Sequence, residues 1–234
     1  RVLFRSKQCA HSLLPSQRML IEYKPYEPAF YHTDIADWSM SCLFARKCSF
    51  RAKVLVDTGH HYTSQNIEQI VAWLLSEDML GGFHFNDRKY GDDDLTLGSI
   101  DPYQMFRILN EIFSFTWDTG ESPDIAYMVD QSHNLKNKLE AAIQTIETAQ
   151  QLWVKAALVD RAALAGYQEN CDLVKAEECL RSAFFTDVNP LIREWRRIRN
   201  LPDSPLDALR ESGYLERISE ERAARNRPAG SSYV

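Results

Sequence analysis

The sequence predicts an α/β protein of parallel strands and helical crossovers, either a (β/α) barrel or a doubly wound sheet. Four short strand patterns alternate with helical patterns between Met19 and Asp130. Only helical patterns follow Asp130. The composition is that of an ordinary globular domain, since 44% of the residues are hydrophobic and 26% are charged. An α+β domain with antiparallel strand pairs is the alternative.

Four runs of β-branched and aromatic residues, each bounded by turn or polar residues, predict buried strands. They are Met19–Lys24, Ala52–Asp57, Gly82–Asn86 and Ile125–Asp130. Helical spacing between them predicts helices at Asp37–Lys47, Gln65–Ser76 and Pro102–Ser114, the last behind the Asp101-Pro102 start signal. The order of these elements predicts about four βα units with right-handed crossovers.

The remainder of the chain is predicted to be helical. Ser132 is expected to cap a long helix that reaches about Asn170. Further helices are predicted at Asp172–Ala183 and behind the Asn189-Pro190 and Ser204-Pro205 start signals, and the tail has no regular pattern. The predicted organisation is an irregular segment (1–19), a partial (β/α) barrel (20–133) and a helical extension (134–234). The extension either packs on its own barrel or covers a neighbour in an oligomer.

The charge balance argues against two classes of partner. With 27 Lys+Arg against 33 Asp+Glu, the net charge is −6, and no basic block is present to meet phosphate. We therefore expect no nucleic-acid partner and no membrane partner, but a small molecule or a protein. No apolar run approaches the roughly 18 residues of a membrane span, and no signal pattern is present, so a soluble cytoplasmic protein is expected.

Two further features concern the cysteines and the start of the chain. The five cysteines include no CxxC pair, which predicts reduced thiols rather than disulfides or a thiolate zinc site. The chain opens on Arg1 rather than Met, and we expect that an upstream portion is missing.

Each predicted strand carries a side chain that can bind a metal at or near its carboxyl end. These side chains are Glu22, Asp57, His84 and Asp130. In parallel α/β proteins ligands bind beyond this end of the strands. A single aspartate there is often only a helix cap, but three carboxylates and an imidazole converging on one rim call for a divalent cation.

A second set of candidate ligands follows the strands directly. Gly59 permits a sharp turn that could bring His60 to the same rim as Asp57, and Asp92 and Asp94 could point the same way. The alternative for the three successive aspartates is a solvated acidic loop. Carboxylate, imidazole and water ligands suit Mn²⁺, Mg²⁺ or Co²⁺.

Lys24 and nearby aromatic residues have two interpretations each. Lys24 lies two residues beyond Glu22, so both side chains are expected on one face of the strand. Lys24 could stabilise negative charge on a substrate oxygen, or it could simply pair with Glu22 or Glu27. The aromatic residues could form a wall for the apolar face of a sugar, or belong to the core; they are Tyr23, Tyr26, Phe30, Tyr31 and Trp38.

Five motifs resemble one known family. They are EYKPYEPAFYHTD (Glu22–Asp34), VDTGHH (Val56–His61), GGFHFNDRKYGDDDL (Gly81–Leu95), DPYQMFRI (Asp101–Ile108) and MVDQSHN (Met128–Asn134). In order and spacing they are similar to the broad-specificity bacterial L-rhamnose isomerases, within the xylose-isomerase-like TIM barrels. The resemblance runs from about Leu20 to the carboxyl end.

The resemblance implies a site with two divalent cations, usually Mn²⁺. It implies Glu22, Asp57, His84 and Asp130 as ligands of the first metal, and the shared Asp57 with His60, Asp92 and Asp94 as ligands of the second. It also implies that Lys24 contacts a substrate oxygen near the reacting carbons. By the same resemblance, Lys24, Asp57 and His60 are the catalytic residues, and Lys24, His60 and Asp130 bind substrate.

The implied activity is aldose–ketose isomerisation of a sugar such as L-rhamnose, by a hydrogen shift between C1 and C2, in a homotetramer without an organic cofactor. Four predicted strands are half of an eight-stranded barrel, so the chain is expected to be the carboxyl-terminal half. Two alternatives are a non-catalytic metal-binding relic or interaction protein, and a different metal-dependent barrel enzyme.

Overall fold

The computed structural model describes Arg5 and residues 16–26, 33–132 and 135–225. Its four strands are β1 (Met19–Glu22), β2 (Ala52–Asp57), β3 (Leu80–Phe85) and β4 (Ala126–Val129). They form one sheet in the order β1-β2-β3-β4, and all three pairings are parallel. The predicted fold class is confirmed, as a partial TIM-barrel-like fold with a helical extension, and these pairings contradict the antiparallel alternative.

Nine helices lie within the described ranges. Three alternate with the strands: α1 (Trp38–Cys48), α2 (Ile67–Ser76) and α3 (Pro102–Thr119). Six follow β4: α4 (Lys138–Ala157), α5 (Arg161–Glu169), α6 (Leu173–Phe185), α7 (Asn189–Ile198), α8 (Pro205–Glu211) and α9 (Tyr214–Ala224). The first three begin as the sequence predicts, because the side chains of Asp37, Asn66 and Asp101 each accept a backbone N–H in the first turn.

The predicted long helix from Ser132 to Asn170 is wrong. α4 begins at Lys138, where the Asn137 side chain accepts the N–H groups of Leu139 and Glu140. A second cap at Asp160, which accepts from Ala163 N, starts α5 as a separate helix. Ser132 instead donates its hydroxyl to Asp94 Oδ2 at 3.1 Å.

The sequence also missed α9. The chain passes from α8 into α9 through Gly213, whose φ of +61° is a left-handed conformation that favours glycine. The helix has no proline in its first turn, and its N-cap Gly213 has no side chain to accept a hydrogen bond.

The core lies where the helices pack on β2 and β3. Val54, Val56 and Phe83 are fully buried. The stacked rings of Phe83, Phe85 and Tyr127 continue this core toward β4. Because side chains alternate along a strand, the other face of β2 and β3 is left to Asp57 and His84.

Other expectations meet the described residues only in part. Among the described residues, no disulfide joins any two of Cys42, Cys48, Cys171 and Cys179, and Cys9 lies outside them. The irregular segment before residue 16, the domain boundary at 133–134 and the tail after residue 225 also lie outside them. In the parts of the chain that the structure describes, no helix combines the length and apolar character needed to cross a bilayer.

Candidate metal centre

Register places the four predicted ligands at the strand ends on one diagonal line. Asp57 and His84 are direct partners in the β2–β3 pairing. Glu22 pairs with Leu55, two residues before Asp57, and His84 pairs with Met128, two residues before Asp130. Residues two apart in a strand share a face, so all four side chains project from the same face of the sheet.

These four side chains form one compact group. Their ligand atoms all lie within 4.8 Å of one another. His84 Nδ1 is at the centre, 3.1 Å from Glu22 Oε1, 3.4 Å from Asp130 Oδ2 and 3.8 Å from Asp57 Oδ2. Three carboxylates around one nitrogen could hold a metal ion, because a cation would offset their mutual repulsion.

Asp57 is the buried anchor of the site. Its Oδ1 accepts from Gly59 N at 2.7 Å, and Asn86 Nδ2 donates to Oδ1 and Oδ2 at 3.0 and 3.1 Å. Burial raises the pKa of Asp57 to about 6, although His60 and the hydrogen bonds from Asn86 and Gly59 oppose the rise. A carboxylate that is hard to ionise in a dry site is ready to exchange its proton for a metal.

His60 reaches the same rim from the turn after β2. Its Nδ1 is 3.1 Å from the backbone oxygen of Tyr23, which suits donation by Nδ1–H and leaves Nε2 as the ligand atom. Nε2 lies 3.2 Å from Asp92 Oδ1 and 3.9 Å from Asp57 Oδ1. Burial would lower the pKa of His60, but Asp92, Asp57 and Glu22 together raise it above its ordinary value.

Gly59 has a different role from the one predicted. It does not adopt a positive φ, so the turn does not require glycine for its backbone conformation. A Cβ at this position would lie 2.6 Å from Asn86 Oδ1. Glycine is needed because the Asn86 amide packs against the turn.

The loop after β3 brings Asp92 to His60. Asp87 and Leu95 close the loop by an antiparallel bridge, and Asp93 Oδ2 accepts from Lys89 N and Tyr90 N at 2.6 Å each. Asp93 therefore stabilises the loop, and its bonded oxygen is not available as a metal ligand in the way proposed for Asp92 and Asp94. His60 beside Oδ1 and Lys24 beside Oδ2 lower the pKa of Asp92 to about 2, against its partial burial.

Asp94 lies at the margin of the group. Its Oδ2 accepts from Ser132, and burial together with the charge of Asp92 raises its pKa. His60 Nε2 thus lies within 4 Å of both Asp92 Oδ1 and Asp57 Oδ1, and Asp94 is hydrogen-bonded to Ser132. Among the described residues, the group whose ligand atoms are all mutually close is Glu22, Asp57, His84 and Asp130.

Lys24 is paired with a carboxylate of the rim. Its Nζ lies 2.5 Å from Asp92 Oδ2, and Glu27, one of the two glutamates expected as its partner, lies outside the described residues. β1 ends at Glu22, and the Lys24 backbone N donates to Ile35 O instead of continuing the sheet. The lysine side chain is 24% exposed, so a small molecule could reach it.

The described aromatic residues divide between core and rim. Tyr23 is buried and its hydroxyl lies 2.6 Å from His61 Nε2, and Trp38 packs on Trp73 of α2. Tyr26 stacks on Tyr62 at the loop side of the site. Phe30 and Tyr31 lie outside the described residues.

Sequence reasoning missed three residues that shape the site. Asn86 holds Asp57, Tyr23 holds His60 through its backbone, and His61 holds Tyr23. Burial, with the nearby charges of Arg88 and His60, lowers the pKa of His61 to about 3, so His61 is neutral. Asn86 could have been found, because it is the polar residue that ends the third strand run.

One structural observation bears on whether His60 and Asp92 could hold a cation between them. Asp92 Oδ1 is buried and, among the described residues, no donor is aligned to hydrogen-bond it, although His60 Nε2 is close. An unsatisfied buried carboxylate oxygen facing an imidazole nitrogen is costly unless a ligand lies between them.

Two curated proteins are similar to this chain. It is 43% identical over 220 residues to a probable sugar isomerase of Rhizobium meliloti (strain 1021), covering 94% of this chain and 51% of that protein. It is 42% identical over 207 residues to a probable sugar isomerase of Mesorhizobium japonicum (strain LMG 29417 / CECT 9101 / MAFF 303099), covering 88% of this chain and 48% of that protein. The chain spans about half the length of the curated relatives it matches. No family model matches it.

Proposed function

We propose that this chain forms the metal-binding part of an aldose–ketose sugar isomerase that uses two divalent cations. The observation that carries the proposal is the Asp57 carboxylate, whose Oδ2 faces the His84 group and whose Oδ1 faces His60. The names of the two similar proteins support the reaction class. The motif resemblance supports L-rhamnose as substrate and Mn²⁺ as metal.

The residues divide into two ligand sets around that carboxylate. Glu22, His84 and Asp130 with Asp57 would hold the first cation, and His60, Asp92 and Asp94 with Asp57 would hold the second. Bound cations would supply Lewis-acid polarisation of the sugar oxygens at C1 and C2. For Asp94 to join the second set, its carboxylate has to leave Ser132.

The reaction moves hydrogen within the sugar, so it requires positioning and charge stabilisation and no organic cofactor. In the aldose-to-ketose direction the C2–H bond breaks and a new C1–H bond forms, while the O2 proton passes to O1. Lys24 would donate a hydrogen bond to a substrate oxygen near these carbons and stabilise its developing negative charge. Because the Lys24 ammonium also pairs with Asp92, it would have to contact Asp92 and the substrate oxygen at the same time.

The remainder of the barrel belongs to the proposal as well. Since the chain spans about half of its relatives, we propose that strands outside these 234 residues complete the sugar pocket. We also propose, from the motif resemblance, that the protein acts as a homotetramer.

The test is a metal titration followed by an isomerase assay. The purified protein is stripped with EDTA and titrated with Mn²⁺ by calorimetry, and we expect two sites per chain. Ketose formation from L-rhamnose and from a panel of other aldoses is then measured with and without Mn²⁺. Two sites with Mn²⁺-dependent turnover support the proposal. Two sites without turnover favour the non-catalytic relic, and no binding contradicts the metal assignment.

Isotope labelling separates the two routes for the hydrogen. A sugar deuterated at C2 is converted in ordinary water, and the deuterium at C1 of the product is measured. Full retention indicates a direct hydride shift, whereas loss to solvent indicates an enediol.

A further inference from the structure

We infer that Asn86 is a positioning residue that fixes the Asp57 carboxylate so that one of its oxygens serves each of the two ligand sets. The inference rests on the proposed function, since it takes the two sets as metal sites. Asn86 follows β3 directly and is 2% exposed, and Asp57 ends β2 and is fully buried.

The Asn86 amide contacts both oxygens of the Asp57 carboxylate. A single Asn86 nitrogen, Nδ2, donates to Asp57 Oδ1 at 3.0 Å and to Oδ2 at 3.1 Å. Near-equal distances place the nitrogen midway between the two oxygens and hold the carboxylate in position, while the hydrogen bond from Gly59 N to Oδ1 at 2.7 Å fixes its rotation about the Cβ–Cγ bond. The two oxygens then keep their separate directions, Oδ1 at 3.9 Å from His60 Nε2 and Oδ2 at 3.8 Å from His84 Nδ1.

The amide itself is held in one orientation by the turn after β2. Thr58 Oγ1 accepts from Asn86 N at 3.0 Å and donates to Asn86 O at 2.8 Å, so the backbone of Asn86 is fixed by one hydroxyl. The Asn86 Oδ1 atom lies on the Thr58 and Gly59 side, 3.3 Å from Thr58 Oγ1. The NH₂ group therefore faces Asp57, and the opposite orientation would set a carbonyl oxygen against a carboxylate.

The arrangement matters to a shared carboxylate more than to an ordinary ligand. A carboxylate that binds one cation can shift and keep its contact, but one that serves two cations loses at least one contact when it moves. Partners that orient a ligand commonly change metal affinity about 10- to 100-fold when they are removed. We therefore expect loss of Asn86 to weaken both sites together.

The experiment compares three variants with the wild-type protein by Mn²⁺ calorimetry after EDTA treatment. Asn86→Leu keeps the volume and removes the donor, and we expect about 10- to 100-fold weaker binding at both sites. Thr58→Val keeps the shape and removes the hydroxyl that holds Asn86, with a smaller loss at both sites. Asn110→Leu is the matched control, because Asn110 is also a buried asparagine but lies in α3 beside Arg161. It is expected to reduce the melting temperature without changing either affinity.

The possible results separate the inference from the proposed function. Absence of two Mn²⁺ sites in the wild-type protein contradicts the proposed function. Two wild-type sites that persist at full strength in a folded Asn86→Leu protein overturn the inference, as does weakening of one site alone. If circular dichroism shows that Asn86→Leu does not fold, Thr58→Val decides: unchanged affinities overturn the inference, and joint weakening supports it.

Discussion

The centre and the β4 end of the ligand diagonal differ in how completely the chain holds them. Asp57, at the centre of the sheet, is fully buried and accepts three hydrogen bonds. Asp130, after the edge strand β4, has a side chain that is 55% exposed. Gly59 and Asn86 of this chain hold the Asp57 carboxylate in place, whereas more than half of the Asp130 side chain is left exposed.

The same contrast runs through the strands. Every residue of β2 is buried except Lys53, while β4 alternates half-buried and exposed residues, with Tyr127 and Val129 nearly half exposed. An apolar groove of about 730 Å³ lies on the face of β4 that carries Tyr127 and Val129, and it is lined in part by Trp153 and Trp195. One ligand set can therefore combine a carboxylate that is held firmly before metal binds, Asp57, with one that is not, Asp130.

The largest expected effect comes from the centre. Asp57→Ala is expected to abolish Mn²⁺ binding at both sites, more than about 100-fold, because the carboxylate faces both ligand sets. Asp130→Ala is expected to weaken the first site alone. The exposed Asp118→Ala, at the end of α3, is the control. Calorimetry that still shows two full-strength sites in Asp57→Ala would make the shared assignment wrong.

Lys24 should separate catalysis from metal binding. Lys24→Ala is expected to reduce kcat about 100-fold, since removing one group that stabilises developing charge costs on that order. Its Mn²⁺ affinities should remain within a few-fold of wild type. Lys53→Ala is the matched control, because Lys53 pairs with Asp78 near the start of β2. Equal losses of rate and affinity in Lys24→Ala would mean that the lysine is structural.

The pH dependence should distinguish the two metal sites. Asp57 must lose its proton before it binds metal, and its pKa is raised to about 6, so both affinities should fall about tenfold per unit below that pH. Each site also needs a neutral imidazole, His84 in the first set and His60 in the second, and because the pKa of His60 is raised, the second affinity should begin to fall at a pH above the ordinary histidine value. Calorimetry between pH 5 and 8, with circular dichroism as a check on folding, measures both slopes. A second-site affinity that stays constant down to about pH 6.5 would remove His60 from the second set.

Much of this fold and site could be predicted because both depend on local signals. The end of β2 is marked by the change from apolar residues to Asp57, and parallel strand order alone then predicts a common rim. The break between α4 and α5 was missed, since the Asp160 cap lies within a continuous helical pattern. Lys24 and Asp92 could not be paired from sequence, because that contact depends on the fold of the loop closed by Asp87 and Leu95.

The smallest expected effect tests whether the β4 end is open in solution. Val56→Ala and Val129→Ala delete the same two methyl groups, one from the centre of the sheet and one from its edge, where Val129 is 47% exposed. Val56→Ala is expected to lower the free energy of unfolding by about 2 kcal/mol, and Val129→Ala by about 0.5 kcal/mol or less. Urea unfolding of the two variants measures the difference. Equal losses in the free energy of unfolding would mean that Val129 is buried in solution, because further strands of the same protein or a second copy cover this edge. The contrast between the centre and the edge of the sheet would then describe only these 234 residues.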